Sequence, residues 1–361
     1  MLFCKQCGNV VEKGDKFCVS CMTRLDGEDA VLSKEDYSRF NATKSHVFSP
    51  ENIVVDSNLS GFEVMEHRLT DKIGTVFGVD HYKAVSLDES TDMGTIIRHF
   101  VFPSPEERDI CAIMHRLSYD EADRLAKEFV QSLLNEVTAY NAFCARIGVP
   151  MLNYKAEHHY SQLYNKHHIF TMTKDAVPFI IYVQQEKLTL RKVINIGLDI
   201  VAQLIKMRLN GSPYGTFTDN SLFIGTDGRV YIDAHFDRLY ERFYPYTTRT
   251  MYNRMFIPRV KIQREVYSLA VLLYRLLSGY NHTHINPHQP VVTNADICSA
   301  ESRRLAGERP IVPERAYNIL GTKLTEMLCA SQREYCLEDI QNILENSLNY
   351  ITVAELDSII N

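Results

Sequence analysis

Apolar positions recur with a helical period in several stretches of the chain. Leu190, Val193, Ile194, Leu198, Val201, Leu204, Ile205 and Leu209 fall on one side of a 3.6-residue repeat, and Asn210-Gly211 supplies a C-terminal stop. Beyond a short loop, the apolar run 222–224, the turn Thr226-Asp227-Gly228 and the run 229–232 predict a β-hairpin. Residues 264–279 place Val266, Leu269, Ala270, Leu273, Leu276 and Leu277 on a stripe wide enough to predict a mostly buried helix. A further helix over 128–143 carries Phe129, Leu133, Val137 and Tyr140 on one face. Between these, the segment 103–108 breaks the chain, and the mixed charges of 118–128 suggest an added exposed helix. Residues 25–60 are polar, with turn signals at Ser49-Pro50-Glu51-Asn52 and Asp56-Ser57-Asn58, and read as a linker with one short helix near 33–40.

The order helix, loop, hairpin, buried helix carries specific residues. The segment 214–233 reads YGTFTDNSLFIGTDGRVYID, and 264–279 reads REVYSLAVLLYRLLSG. The first resembles the catalytic loop and following hairpin of the protein kinase family. The second is similar to that family's central helix, which normally opens Asp-Val-Tyr-Ser-Leu-Gly. The likeness runs from Gly61 to about Leu348 and is most specific over 190–279.

Carried over by position, the resemblance puts Tyr214-Gly215-Thr216 where the family has its His-Arg/Gly-Asp triplet, so Thr216 takes the place of the catalytic base. A threonine hydroxyl does not accept a proton at neutral pH. Thr218 replaces the loop lysine and Ser221 the metal-binding asparagine. The magnesium-binding acid is Asp233 if the hairpin is one residue short, whereas the usual spacing puts Ala234 there. Phosphoryl transfer relies on positioning and charge neutralisation, so these departures imply a pseudokinase.

In the amino-terminal part, Thr95-Ile96-Ile97-Arg98 resembles the strand bearing the nucleotide lysine, with Arg98 in its place, and Glu136 is the candidate for the helix glutamate that pairs with it. Either the two form an ion pair or both are ordinary surface charges. The phosphate-loop position holds Ile73-Gly74-Thr75-Val76-Phe77-Gly78, where Val76 and Phe77 crowd the space that glycines leave for phosphates. Residues 179–183 read as the strand entering the hinge, with Gln184-Gln185-Glu186 as the hinge. The family's cofactors are ATP and Mg2+; the altered loop and lost ligands argue against both.

Independently, Cys4-x-x-Cys7 and Cys18-x-x-Cys21 have zinc-ribbon spacing, with Gly8 after the first pair and Lys13-Gly14-Asp15-Lys16 as the intervening turn. Two such knuckles facing each other form a closed tetrahedral S4 shell, so the implied Zn2+ is structural. Disulfides or a redox pair are the rival readings. The segment resembles small zinc ribbons at the amino termini of bacterial multidomain proteins, departing from them at Met22, where a glycine is usual. Such ribbons bind protein or nucleic acid.

Composition narrows the setting. At 361 residues and 45% hydrophobic content the chain can bury a large core, and its net charge of −6 gives no support for whole-chain binding to nucleic acid or membrane. No apolar run is long enough to span a bilayer, no signal peptide is apparent, and five scattered cysteines outside the ribbon suit a reducing cytoplasm. Arginines and tyrosines interleave over 237–261, as at a partner surface or a nucleic-acid strip; the alternative is a solvated, partly disordered loop. His282, His284 and His288 read as untethered loop histidines rather than metal ligands.

The expected fold is α+β: a bilobal protein-kinase-like fold with a zinc ribbon at 1–24, a linker at 25–60, an N-lobe at 61–183 and a helical C-lobe at 184–361. The favoured function is a catalytically inactive regulator or scaffold that binds a protein partner, with the ribbon as adaptor. The alternatives are an atypical Ser/Thr kinase using Asp219 or Asp233, and a nucleic-acid-associated ribbon protein.

Overall fold

The computed structural model describes residues 58–360 apart from 77, 89–93, 153–154, 175, 235, 259–261, 280–281, 286–293, 312–317 and 330–334, together with 2–4, 10–11, 16–17, 24–25, 31–33 and 46–47. Cys7, Cys18 and Cys21, the side chain of Cys4, and residues 34–40 lie outside the described residues. At the amino terminus, β1 (Leu2–Cys4) is flanked antiparallel by β2 (Val10–Val11) and β3 (Val31–Ser33). This small sheet therefore reaches beyond residue 24, into the segment read as linker.

The main sheet has seven strands: β4 (His46–Val47), β5 (Phe62–Val64), β6 (His67–Val76), β7 (Val79–Ser86), β8 (Thr95–Phe102), β9 (Lys155–Ser161) and β10 (Lys166–Lys174), in the order β4-β5-β6-β7-β8-β10-β9. All neighbours are antiparallel except β4 and β5. Strand β8 is apolar at most positions because both of its faces are covered. Ile97 faces a cluster with Leu59, Leu69, Tyr82, Phe170 and Met172, while Phe100 and Phe102 join the main core on the other side.

After β8, Ser104 and Glu107 form a capping box that starts α1 (Pro105–His115). A second box, Ser118 with Glu121, starts α2 (Tyr119–Ile147), which ends at Gly148 in the left-handed region. The exposed helix expected at 118–128 and the helix expected at 128–143 are thus one element. Its first turns follow the same period as its last, since Ala122 and Ala126 continue the buried stripe of Phe129, Leu133, Val137 and Tyr140.

Strand β11 (Ala176–Pro178) is followed by α3 (Phe179–Gln185), so the strand expected at 179–183 is a helix. A short apolar run does not by itself distinguish the two, and Pro178 supplies the fixed φ of a helix start. Helix α4 (Leu190–Leu209) begins and ends where the sequence predicts. Strands β12 (Leu222–Gly225) and β13 (Val230–Ile232) pair Leu222 with Ile232 and Ile224 with Val230, closing the expected hairpin around Gly228 at φ 78°.

Two short helices, α5 (Phe236–Phe243) and α6 (Thr248–Asn253), precede α7 (Arg264–Leu277), which is buried from Glu265 onward. Then follow α8 (Asn294–Leu305), α9 (Asn318–Leu328), α10 (Leu337–Tyr350) and α11 (Val353–Leu356). Helix α7 packs against α4 and α9, and α4 against α10. The chain is a mixed helix-and-sheet α+β protein whose largest core runs from β8 and α2 into these helices. Among the described residues, no helix is long and apolar enough to cross a membrane.

Candidate functional site

The residues carried over from the kinase pattern converge where the inner face of β8 meets the loop before β12. Arg98 points inward from β8, and its Nη1 donates to Asp233 Oδ2 at 2.7 Å while its Nε donates to Thr171 Oγ1 at 2.8 Å. Both Arg98 and Asp233 are buried, at 6% and 4% exposure. The guanidinium also lies 4.8 Å from the Phe223 ring centroid and 5.4 Å from that of Phe100. Asp233 N–H donates to Ser221 O at 2.7 Å, which fixes the carboxylate directly after the hairpin. Of the two positions left open by the sequence, Asp233 and Ala234, it is therefore Asp233 that meets Arg98.

Glu136 is half-buried on α2. It lies close enough to Tyr214 to join burial, Asp233 and Asp237 in pushing that phenol's pKa up. Tyr214, in the histidine position of the triplet, donates to Asp233 O at 2.9 Å and is sealed in the core. Gly215 takes φ 87°, a conformation that suits glycine, and its N–H donates to Glu265 Oε1 at 2.9 Å. Thr216, which the resemblance sets in the base position, has a buried hydroxyl with no hydrogen-bond partner.

Thr218 and Ser221 donate to the same acceptor, Asp237 Oδ2, at 2.7 and 2.9 Å. Asp237 Oδ1 accepts from Arg249 Nε and Nη2 at 3.0 and 2.8 Å. Burial alone would raise the Asp237 pKa; Arg249 and the two hydroxyls outweigh it and hold the carboxyl below its usual range. Arg249 also covers the Phe236 ring at 4.2 Å. Asp219, the substitute acid of the atypical-kinase reading, is fully buried; Tyr252 donates to its Oδ2 at 2.6 Å and Arg275 lies 3.5 Å away.

What remains between these groups is a cavity of about 30 Å3, bordered by Val76, His81, Arg98, Phe223, Asp233 and Arg249. That is below the roughly 300–1,000 Å3 of a small-molecule site, and a second cavity of about 360 Å3 adjoins it, bordered by Gly74, Val76, Ile180, Gln184, Gln185 and Tyr252. Val76 of β6 lines both, while Phe77 lies outside the described residues. Asp233 is paired with Arg98 and Asp237 with Arg249. Among the described residues, no group of three or more His, Cys, Asp and Glu side chains is placed to hold a metal.

Two expectations outside the cleft are corrected. Over its described residues, 237–258, the arginine and tyrosine segment is not a solvated loop: Tyr240, Tyr244, Arg249 and Phe256 are buried, while Arg238, Arg242 and Tyr246 are exposed. Its aromatic residues pack on Phe129 and Phe102, which repays ordering the backbone. The histidines after α7 are tethered as well. His284 Nε2 lies 2.8 Å from Glu308 O and its Nδ1 2.9 Å from Thr283 Oγ1, while His282 Nε2 is 3.6 Å from Glu301 Oε2; His288 lies outside the described residues. Sequence reasoning did not place Asp237, Arg249 and His81 at this site, because a contact between residues of different elements leaves no period to read.

No family model matches the chain, and no curated protein matches it.

Proposed function

We propose that this chain is a kinase-like protein that transfers no phosphoryl group and works by binding a protein partner, with a structural zinc ribbon formed by Cys4, Cys7, Cys18 and Cys21 as its adaptor. The observation that carries this reading is the Arg98–Asp233 ion pair, buried at 2.7 Å where nucleotide and metal would have to enter. The residues that would anchor phosphate and magnesium instead satisfy each other. Support also comes from Thr216, whose neutral hydroxyl cannot act as the proton acceptor, and from Thr218 and Ser221, whose hydroxyls are committed to Asp237. The rival use of Asp219 as a base is disfavoured by its burial against Tyr252 and Arg275.

Thermal-shift measurement with ATP, with and without Mg2+ or Mn2+, tests the proposal. A ligand that binds the folded state at 100 times its Kd stabilises it by about 2.7 kcal/mol. The expected result is no shift at millimolar nucleotide and no transfer of radiolabel to a generic protein substrate. A clear shift together with transfer that disappears in Asp233→Ala would establish the atypical-kinase reading instead.

A further inference from the structure

Two imidazole pairs lie on opposite faces of the outer strands of the main sheet. On the face turned away from the cleft, His99 Nε2 of β8 and His168 Nδ1 of β10 are 3.0 Å apart, with rings 9° from parallel, and His99 stacks on Phe170 at 4.6 Å. On the other face, His158 Nε2 of β9 meets His167 Nδ1 at 3.0 Å. A fifth imidazole, His81 of β7, pairs in register with Arg98, borders the cleft cavity, and has no hydrogen-bond partner at its buried Nδ1. Of these, only His158 is exposed.

A 3.0 Å contact between two ring nitrogens is held by one hydrogen, with one imidazole donating and the other accepting. If both rings of a pair carry both protons, two N–H groups and two positive charges face each other, and the contact breaks. The surrounding charges do not offset this. Lys72 of β6 faces His99, Lys127 of α2 faces His167, and Arg98 faces His81. The acids near them are occupied: Asp80 holds Lys72 at 2.7 Å, Asp123 holds Arg108 at 2.7 Å, and Glu157 lies 2.5 Å from His159.

We infer that these imidazoles make the β8–β10–β9 edge an acid-labile latch, which opens by taking up protons and releases Arg98 from Thr171 and hence from its fixed place against Asp233. The coupling is built into two strands: β8 carries Arg98 and His99 on opposite faces, and β10 carries Thr171 and His168 likewise. The inference does not require the cleft to be kinase-like.

Burial, followed by His168 and Lys72, pushes the His99 pKa down to about 3. Burial and Arg98 push His81 to about 3, and burial with His158 and Lys127 pushes His167 to about 4. An imidazole released to solvent titrates near 6.5. The open state therefore binds more protons below that value, so the latch is at full strength above about pH 6.5 and weakens as pH falls toward 4. His99 and His167, which lie on the strands that part, each add about a factor of ten per pH unit, giving on the order of a hundredfold rise in the open-to-closed ratio per unit. Opening that steep occurs well above the folded-state pKa values.

Hydrogen exchange on the full chain from about pH 7.5 down to about pH 5, corrected for the pH dependence of chemical exchange, tests this. Peptides covering 155–174 should lose protection steeply with acid while those covering 190–209 and 264–277 keep it. Single His99→Phe and His167→Phe variants each remove one imidazole, and either should cut the steepness about tenfold per pH unit. The inference is overturned if 155–174 keep their protection throughout, if they open only together with the helices, or if the wild-type response is no steeper than one proton allows.

Discussion

At the scale of single residues, the cleft is governed by which charge meets which, and one substitution isolates this. Arg98→Met leaves the Asp233 carboxylate buried without its cation, at an expected cost of about 3–5 kcal/mol. Adding Asp233→Leu removes the stranded charge and should recover most of that loss, because two apolar groups replace two desolvated ions. Urea unfolding of the two single variants and the double variant measures the coupling. An Arg98→Met variant that is no less stable than wild type would mean the pair is open to water. The sequence made part of this visible, since the motif order names Arg98 and leaves the acid position to Asp233 or Ala234. It could not show that they meet, because 134 positions separate Arg98 from Asp233's preceding residue Ile232 and only the fold brings them together. Glu136 illustrates the limit: its place on a helix is readable from the period, but its partner is not.

At the scale of elements, periodicity served long amphipathic segments well and short or two-sided ones poorly. The bounds of α4 and the hairpin around Gly228 were legible because a single face or a single turn decides them. Helix α3 was not, since the five-residue apolar run at 179–183 satisfies strand and helix patterns alike. Within α4 the apolar count also misplaced the contact: Leu209 is exposed, while Ile196, Gly197, Ile200 and Met207 are buried. A Cβ at Gly197 would lie 2.9 Å from Leu344 of α10 and 3.1 Å from Leu273 of α7. Gly197→Ala should therefore destabilise the protein by about 1–3 kcal/mol, despite alanine's better helix propensity, because three helices close on that point. A thermal midpoint raised by the substitution would show that α7 and α10 can part without cost.

At the scale of the whole molecule, the large core and the amino-terminal sheet are stabilised on different terms. The core running from β8 through α7 to α10 is continuous and needs no cofactor to bury its side chains. Strands β1, β2 and β3 are two or three residues long, and Val11 and Leu25 are the buried apolar residues described in the first 57 positions. Strands this short are marginal by themselves, and a crosslink through the four cysteines would stabilise them. The spacing of Cys4, Cys7, Cys18 and Cys21 favours a closed thiolate site, whose metal binding is itself folding free energy. Native mass spectrometry should find one Zn2+ per chain, lost in a Cys4→Ser/Cys18→Ser variant. Exchange protection over 2–4 and 10–11 should vanish with it, while 190–209 and 264–277 stay protected, because the helices draw their stability from their own core. Protection at 2–4 that survives metal removal but not a thiol reductant would assign the four cysteines to disulfides instead.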